Sequence, residues 1–130
     1  MDTLLGSMRI SATGMSAERF RMDVISSNIA NANSVGAPGQ DPYRRREVEL
    51  TGGDEGVQVT GILEDNRPFA KVSDPGNPNA DADGFVTESN VQPIEEMIDM
   101  MGATRAYEAN IAAFNSAKGM IQSALNIGKT

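Results

Sequence analysis

Several short segments of the sequence carry residue types that could do chemistry, and one of them resembles a calcium-binding loop. Asn79-Ala-Asp81-Ala-Asp83-Gly84 matches the opening of the EF-hand pattern D-x-[DN]-x-[DN]-G, whose alternating oxygen ligands suit Ca²⁺. That pattern also needs a bidentate Glu at its twelfth position, which here is Asn90, and a preceding helix, which Asp74-Pro-Gly-Asn-Pro78 cannot form. The segment is predicted to be a solvated acidic turn before the strand-like Phe85-Val86, and calcium binding is the less favoured alternative.

The only basic cluster is Arg44-Arg45-Arg46, which is flanked by Asp41, Glu47 and Glu49. Three arginines with acidic neighbours are too few for a nucleic-acid surface, which needs a broad basic footprint. The cluster is interpreted as the solvated start of a strand. Pairing with acids on this or an adjacent subunit is the alternative.

Glu95 and Glu96 could be imagined as a paired general acid and base. Adjacent helical positions point about 100° apart, however, so the two carboxyl groups cannot easily flank one substrate. Both are explained as favourable negative charges at a helix N-terminus. The chain also lacks His and Cys, which removes the commonest general base, nucleophile and zinc ligands. We therefore predict no enzyme activity, no catalytic residue, no cofactor and no metal ligand.

The net charge of −7 is concentrated in the middle of the chain. Residues 35–92 hold eleven acids and five bases, whereas residues 1–34 are neutral and residues 93–130 carry −1. This distribution argues against nucleic-acid binding and suits a middle that faces water between buried ends. No apolar run approaches 18 residues, so no membrane insertion is expected, and the N-terminus lacks the basic and apolar regions of a cleaved signal peptide.

Proline and glycine divide the sequence into three segments, because five of six prolines and eight of thirteen glycines lie between Val35 and Gln92. The first segment is predicted to be a helix from about Thr3 to Asn33. Its apolar residues follow steps of three, four or seven, as on one helix face; they are Leu4, Leu5, Met8, Ala12, Met15, Met22, Ile25 and Ile29.

The last segment is predicted to be a helix from about Pro93 to Ile127, since Pro93 suits a first helical turn. It carries two apolar stripes. One consists of Met100, Ala103, Tyr107, Phe114, Ala117, Ile121 and Ala124, and the second consists of Ile94, Met97, Met101, Ile111 and Leu125. One partner helix cannot bury both stripes, so neighbouring subunits are expected to cover the surplus.

The predicted fold is mainly α with a small β element. Residues 1–34 and 93–130 form a helical inner domain, paired as a coiled-coil-like hairpin, and residues 35–92 form extended loops with a β-hairpin or three short strands. The strand-like runs are Glu47-Val-Glu-Leu50, Gly56-Val-Gln-Val-Thr60 and Phe69-Ala-Lys-Val72, with turns at Gly52-Gly53 and Asn66-Arg-Pro68. A small sheet rarely stands alone, so it is expected to lean on the helices or on a neighbour.

Two longer motifs resemble a known family. Asn28-Ile-Ala-Asn-Ala-Asn-Ser34 matches the N-terminal signature N-[LI]-A-N-[AS]-x-[TS] of bacterial flagellar rod and hook proteins, and residues 96–110 resemble the C-terminal block E-M-x-x-M-x-x-A-x-R-x-Y-x-A-N. The short length, with Pro42-Tyr-Arg-Arg45 and residues 74–86, is similar to the proximal-rod members. Ser89 and Gln92 depart from that pattern, which usually has Pro and Asn there.

The resemblance implies a structural subunit of the basal-body proximal rod that polymerises through its terminal helices and transmits torque across the periplasm. It implies export by the flagellar type III apparatus without signal cleavage. It also implies contacts with other copies, with other rod proteins and with the adaptor at the rod base. The predicted assembly interface comprises Leu5, Met8, Met15, Met22, Ile25, Asn28, Ile29, Asn31, Met97, Met101, Arg105, Tyr107, Asn110, Ile111, Phe114, Ile121 and Leu125.

Two other functions remain open from the sequence. One is a small acidic calcium-binding or regulatory module built on a helical hairpin. The other is a different flagellar axial protein, of the rod or hook, with the same terminal motifs.

Overall fold

The computed structural model describes residues 2–129, which form two long helices joined by a β-rich middle region. Helix α1 spans Asp2–Ala30 and helix α2 spans Pro93–Gly128. The strands between them are β1 Val35–Gly36, β2 Arg46–Gly53, β3 Gly56–Glu64, β4 Ala70–Ser73 and β5 Phe85–Glu88. The predicted fold class, mainly α with a small β element and paired terminal helices, is confirmed.

The two helices run antiparallel and pack through small residues. Near one end of the pair, the Asn28 side chain bonds to Glu96, and further along the pair Gly14 lies against Asn110. A Cβ atom on Gly14 would lie 2.6 Å from the Asn110 amide oxygen, so a larger residue here would force the Asn110 side chain to move. Other small residues are buried along the two helices, namely Ser11, Ala17, Ala103 and Ala117.

The two faces of α2 differ in burial. A heptad-like series, which we call the α1-facing stripe, is buried or half-buried throughout; it consists of Glu96, Met100, Ala103, Tyr107, Asn110, Phe114, Ala117 and Ile121. It contains the first predicted apolar stripe except Ala124, which is exposed. The second predicted stripe is mostly exposed, with Ile94 at 75%, Met101 at 60% and Met97 at 55% exposure. As expected from the sequence, α1 alone does not cover both stripes.

Strands β2 and β3 form an antiparallel hairpin that packs on α1. Its turn lies at Asp54-Glu55, with Gly53 paired to Gly56, so the predicted turn at Gly52-Gly53 was placed two residues too early. At the hairpin tip, the Val57 N–H donates to Thr13 Oγ1 at 3.0 Å.

The length of the hairpin matches the stretch of α1 that it follows. Its tip bonds to Thr13 and its base bonds to Asn28, through the backbone of Arg46. The fifteen helical rises from Thr13 to Asn28 span about 22 Å. Val57 pairs with Gly52, and the six strand rises from Arg46 to Gly52 span about 20 Å. The hairpin is therefore held to α1 at both ends.

The second sheet has three antiparallel strands in the order β1-β5-β4. Val86 on the central strand is one of the few fully buried apolar residues of the β region. The prediction from Phe85-Val86 corresponds to β5, and that from residues 69–72 corresponds to β4, shifted by one residue. The two-residue strand β1 was not predicted. None of the helices within residues 2–129 is long and apolar enough to cross a membrane.

Candidate functional site

Five polar side chains gather where the two helices meet the β region, and we call this group the polar junction. Its members are Asn28 from α1, Tyr43 and Arg45 from the segment before β2, Asn90 from the segment after β5, and Glu96 from α2. All are buried except Tyr43, which is half-buried. The junction therefore joins segments that are distant in sequence at one buried point.

An ion pair between Arg45 and Glu96 forms the centre of the polar junction. Arg45 retains 4% of its exposure and Glu96 is fully buried. The Arg45 Nε–H donates to Glu96 Oε1. Because a buried charge is costly unless it is paired and hydrogen-bonded, the Glu96 carboxylate needs the Arg45 guanidinium.

Further acids surround the Arg45 guanidinium. Its Nη2 donates to Asp99 Oδ2 at 3.0 Å, its Nη1 lies 3.2 Å from Asp65 Oδ2, and its Nη1 also contacts the Glu47 carboxylate. Burial is the largest influence on the pKa of Arg45 and lowers it, but hydrogen bonds to Glu47 and Glu96 raise the pKa above its usual range. Arg45 thus stays charged and links β2, α2 and the loop after β3.

Asn28 uses its whole side-chain amide in this junction. Its Nδ2 donates to the Arg46 carbonyl at 2.8 Å and to Glu96 Oε2 at 3.0 Å. Its Oδ1 accepts the Tyr43 O–H at 2.8 Å and the Arg46 N–H at 3.1 Å. Two donors and two accepted bonds exhaust what an amide can make, so Asn28 pairs with the backbone at the start of β2 much as a neighbouring strand would.

Asn90 also uses its side-chain amide to bind backbone groups, at Arg45 and in the loop after β3. Its Oδ1 accepts the Arg45 N–H at 2.7 Å, and its Nδ2 donates to the carbonyls of Asp65 and Arg67 at 3.0 and 3.1 Å. The neighbouring Ser89 Oγ donates to the Tyr43 carbonyl at 2.6 Å. No buried side-chain nitrogen or oxygen within residues 2–129 lacks a hydrogen-bond partner.

A more exposed group of charges borders the junction. Arg67 contacts Asp65 at 2.7 Å and Glu95 at 3.1 Å. The hydrogen bond from Arg67 is the main reason that the pKa of Asp65 falls from 3.8 to about 2. Burial raises the pKa of the Tyr43 hydroxyl, and the Glu96 carboxylate adds to the rise while Arg46 opposes it.

The structure corrects two interpretations from the sequence. Arg45 is not part of a solvated strand start, since it is buried in the ion pair with Glu96. Glu96 is likewise more than a charge near a helix N-terminus, whereas Glu95 remains half-exposed. The alternation of residues 47–50 located the strand, but nothing local indicated that the distant Glu96 would face Arg45.

The seventeen predicted interface residues fall into three groups in the structure. Two are buried inside the chain, Ile25 and Asn28. Nine are half-buried, namely Met8, Met15, Met22, Ile29, Tyr107, Asn110, Ile111, Phe114 and Ile121. Six are exposed, namely Leu5, Asn31, Met97, Met101, Arg105 and Leu125.

Asn31, which belongs to the N-terminal signature and to the predicted interface, lies at the end of α1. Asn31 follows the last helical residue, and its Nδ2 donates to the Ser27 carbonyl at 2.8 Å. A helix-end carbonyl is satisfied in this way, as expected for an amide at that position.

The segment that resembles a calcium loop forms a hydrogen-bonded turn. Asp81 Oδ1 accepts the N–H groups of Asp83 and Phe85, each at 2.9 Å. No group of three or more acidic side chains in the described part of the chain is arranged to hold a metal ion. The geometry supports the turn that leads into β5.

Comparison with known proteins places this architecture in one class. The family described as "Flagella basal body rod protein" matches residues 8–37, which cover most of α1 and β1. The family described as "Flagellar basal body rod FlgEFG protein C-terminal" matches residues 82–127, which cover β5 and nearly all of α2. Both helices of the pair thus carry the sequence features of flagellar basal-body rod proteins.

Full-length relatives identify the family more narrowly. The chain is 40% identical to the flagellar basal-body rod protein FlgC of Bacillus subtilis, over 98% of this chain and 99% of the relative. It is 38% identical to FlgC of Salmonella typhimurium, over 97% and 98% of the two chains. It is 37% identical to FlgC of Agrobacterium fabrum, over 99% and 98%. The chain belongs to the FlgC family of flagellar basal-body rod proteins.

Proposed function

We propose that this chain is a non-enzymatic structural subunit of the flagellar basal-body rod, in its proximal part, and that it polymerises through α1 and α2. One observation carries the proposal beyond family membership. The α1-facing stripe of α2 is covered within the chain, while Ile94, Ile98 and Met101 on another face are 60–75% exposed. Large apolar side chains grouped on an exposed helix face mark an interaction surface.

The polar junction gives the subunit the stiffness that torque transmission needs. Torque passes through a subunit only if its parts do not rotate against one another. Asn28 and Arg45 tie α1, α2 and β2 together through charged or fully satisfied hydrogen bonds. A buried network of this kind favours one arrangement, because any other leaves Arg45 or Glu96 unpaired.

Membership of the FlgC family supports a proposal about the partners and the location of the chain. We propose that the chain contacts other copies of itself, the other rod proteins and the adaptor at the rod base. We also propose that it reaches the periplasmic part of the basal body through the flagellar type III export apparatus, without signal cleavage. Exposed and half-buried residues of the predicted interface, such as Leu5, Met97 and Leu125, supply the apolar contacts.

Alanine substitution at two exposed motif residues tests this function in cells. Asn31→Ala and Arg105→Ala are expected to abolish swimming, because both residues belong to the predicted assembly interface. Expression should be unchanged, because both side chains are exposed and are not part of the core. Gln122→Ala, at an exposed polar position of α2 outside the predicted interface, should swim normally. Normal rods and normal swimming in both motif variants would contradict the proposal.

A further inference from the structure

One face of α2 has a regular pattern that the pairing with α1 does not use. We call it the outer stripe; it consists of Ile94, Ile98, Met101, Arg105, Glu108, Ala112, Asn115 and Gly119, all of which are exposed. The spacing alternates between four and three residues, as in the seam of a coiled coil. Each member precedes a member of the α1-facing stripe by two positions, about 200° around the helix, so α1 leaves this face open.

The outer stripe has two unlike halves with charges between them. The first half carries the large apolar residues Ile94, Ile98 and Met101, which are 75%, 63% and 60% exposed. The second half carries Ala112, Asn115 and Gly119, which are small or polar. At the centre lie Arg105 and Glu108, and neither forms an ion pair within residues 2–129.

We infer that the outer stripe binds the outer stripe of a second copy of this chain, with the two α2 helices antiparallel. In the register that brings Arg105 of each copy opposite Glu108 of the other, every large residue faces a small or polar one. The layers are Ile94 with Gly119, Ile98 with Asn115, and Met101 with Ala112. Large side chains enter the space left by small ones, and two ion pairs form at the centre.

Other alignments of the same face are poorer. Parallel helices in register would set Arg105 against Arg105 and Glu108 against Glu108, which is unfavourable for like charges. An antiparallel shift of one heptad toward the apolar half would place Ile98 against Glu108. The opposite shift would place Arg105 against Asn115 and leave Glu108 facing Ala112. The charges are matched in the proposed register and in none of these three.

The positions beside the seam raise no objection to this register. In an antiparallel pair, Glu95 would approach Ser116, and Met97 would approach Lys118 of the other copy. Gly102 would approach Ala109. None of these neighbours brings two like charges together, and Gly102 leaves room, since no atom lies within 4 Å of the Cβ that it lacks.

The contact is two-fold symmetric and uses the same surface of both copies, so no third copy can add to the pair through this surface. It would cover the exposed apolar half of α2 and would also occupy Met101 and Arg105, which are members of the predicted assembly interface. This consequence rests on the proposed rod function. The antiparallel pair is then a resting form of the unassembled chain, and it must open before α2 can contact a rod neighbour.

Disulfide crosslinking tests the register directly, because the sequence contains no cysteine. The purified double variant Met101→Cys/Ala112→Cys should form a disulfide-linked dimer under mild oxidation, with at least five times the yield of its controls. One control is Met101→Cys/Gly119→Cys, on the same stripe but one heptad out of register. The other is the single variant Met101→Cys. Equal yields in the double variants, or efficient self-linkage of the single variant, would overturn the antiparallel register.

Charge reversal tests the central ion pairs without a crosslink. In analytical ultracentrifugation, Arg105→Glu should weaken dimerisation at least tenfold, and Arg105→Glu/Glu108→Arg should restore it to within about threefold, since each tenfold step is about 1.4 kcal/mol. Circular dichroism should show unchanged helicity in both. A strictly monomeric parent chain, or no loss in Arg105→Glu, would overturn the inference. These assays use the unassembled chain, so a failure here leaves the motility test of the rod function intact.

Discussion

The polar junction and the outer stripe both include residues of α2, yet contacts within the chain cover them to very different degrees. At the junction, Glu96 is fully buried and bonds to residues of α1 and of the segment before β2. On the outer stripe, Ile94 is 75% exposed and Arg105 has no ion-pair partner within the described residues. The junction fixes the shape of one subunit, and the outer stripe is available for another molecule.

The largest loss of stability is expected from removing the acid at the centre of the junction. Glu96→Ala removes the fully buried partner of Arg45 and an acceptor of the Asn28 amide, and should lower the free energy of unfolding by about 3 kcal/mol. Urea denaturation of the purified chain measures this loss. Glu95→Ala is the matched control, because Glu95 is half-exposed and its pair with Arg67 should contribute about 1 kcal/mol or less. Equal losses in the two variants would show that the junction is not buried as described.

A smaller loss is expected at Gly14, where α1 lies against the Asn110 side chain of α2. Gly14→Val places a side chain against the Asn110 amide, since even a Cβ would lie 2.6 Å from its oxygen. The same substitution at Gly102 meets no atom within 4 Å. Both substitutions replace a helical glycine by valine, so the change in helix propensity is the same. Gly14→Val should therefore lower stability by about 2 kcal/mol more than Gly102→Val, because only Gly14→Val overpacks the space between the helices. Thermal unfolding of both variants gives the comparison, and equal melting temperatures would contradict the close approach.

The charges at the border of the junction should give a pH-dependent effect. The pKa of Asp65 is lowered from 3.8 to about 2 when the chain folds, so its carboxylate stabilises the folded state above about pH 4. That contribution is lost as pH falls from about 4 to about 2. Stability of the parent chain should therefore decline more steeply over this range than that of Asp65→Asn. Parallel acid-unfolding curves for the two proteins would contradict the assigned role of Asp65.

The smallest effect on stability is expected on the outer stripe. Ile98 is 63% exposed, so Ile98→Ser should change the free energy of unfolding of the monomer by no more than about 0.5 kcal/mol. The same variant should nevertheless fail to restore swimming in a strain that lacks the gene. A large loss of monomer stability would mean that this face is covered within the subunit. The outer stripe would then not differ from the polar junction in burial.

The sequence was sufficient to predict the helices because both follow long, regular apolar patterns. The second stripe of α2 was also predicted to exceed what α1 could cover, and its exposure in the structure agrees. Signals of this kind are repeated over many residues, so they predict a long helix reliably.

The polar junction was largely missed, and the reason is physical. Arg45 and Glu96 are separated by about fifty positions, and charges normally lie in water, so local sequence favoured exposed positions for both. Only the folded arrangement of α1, α2 and β2 shows that the two residues share one buried site. Asn28 was singled out, but as part of an assembly surface rather than as the amide that joins three elements.

A density map of the intact rod at side-chain resolution would test the central claim most directly. The account predicts that α1 and α2 pair within each subunit through the α1-facing stripe, that Arg45 and Glu96 stay paired, and that a neighbouring subunit covers Ile94, Ile98 and Met101. A rod in which those three side chains face solvent, or in which α1 pairs with α2 of another subunit, would contradict it.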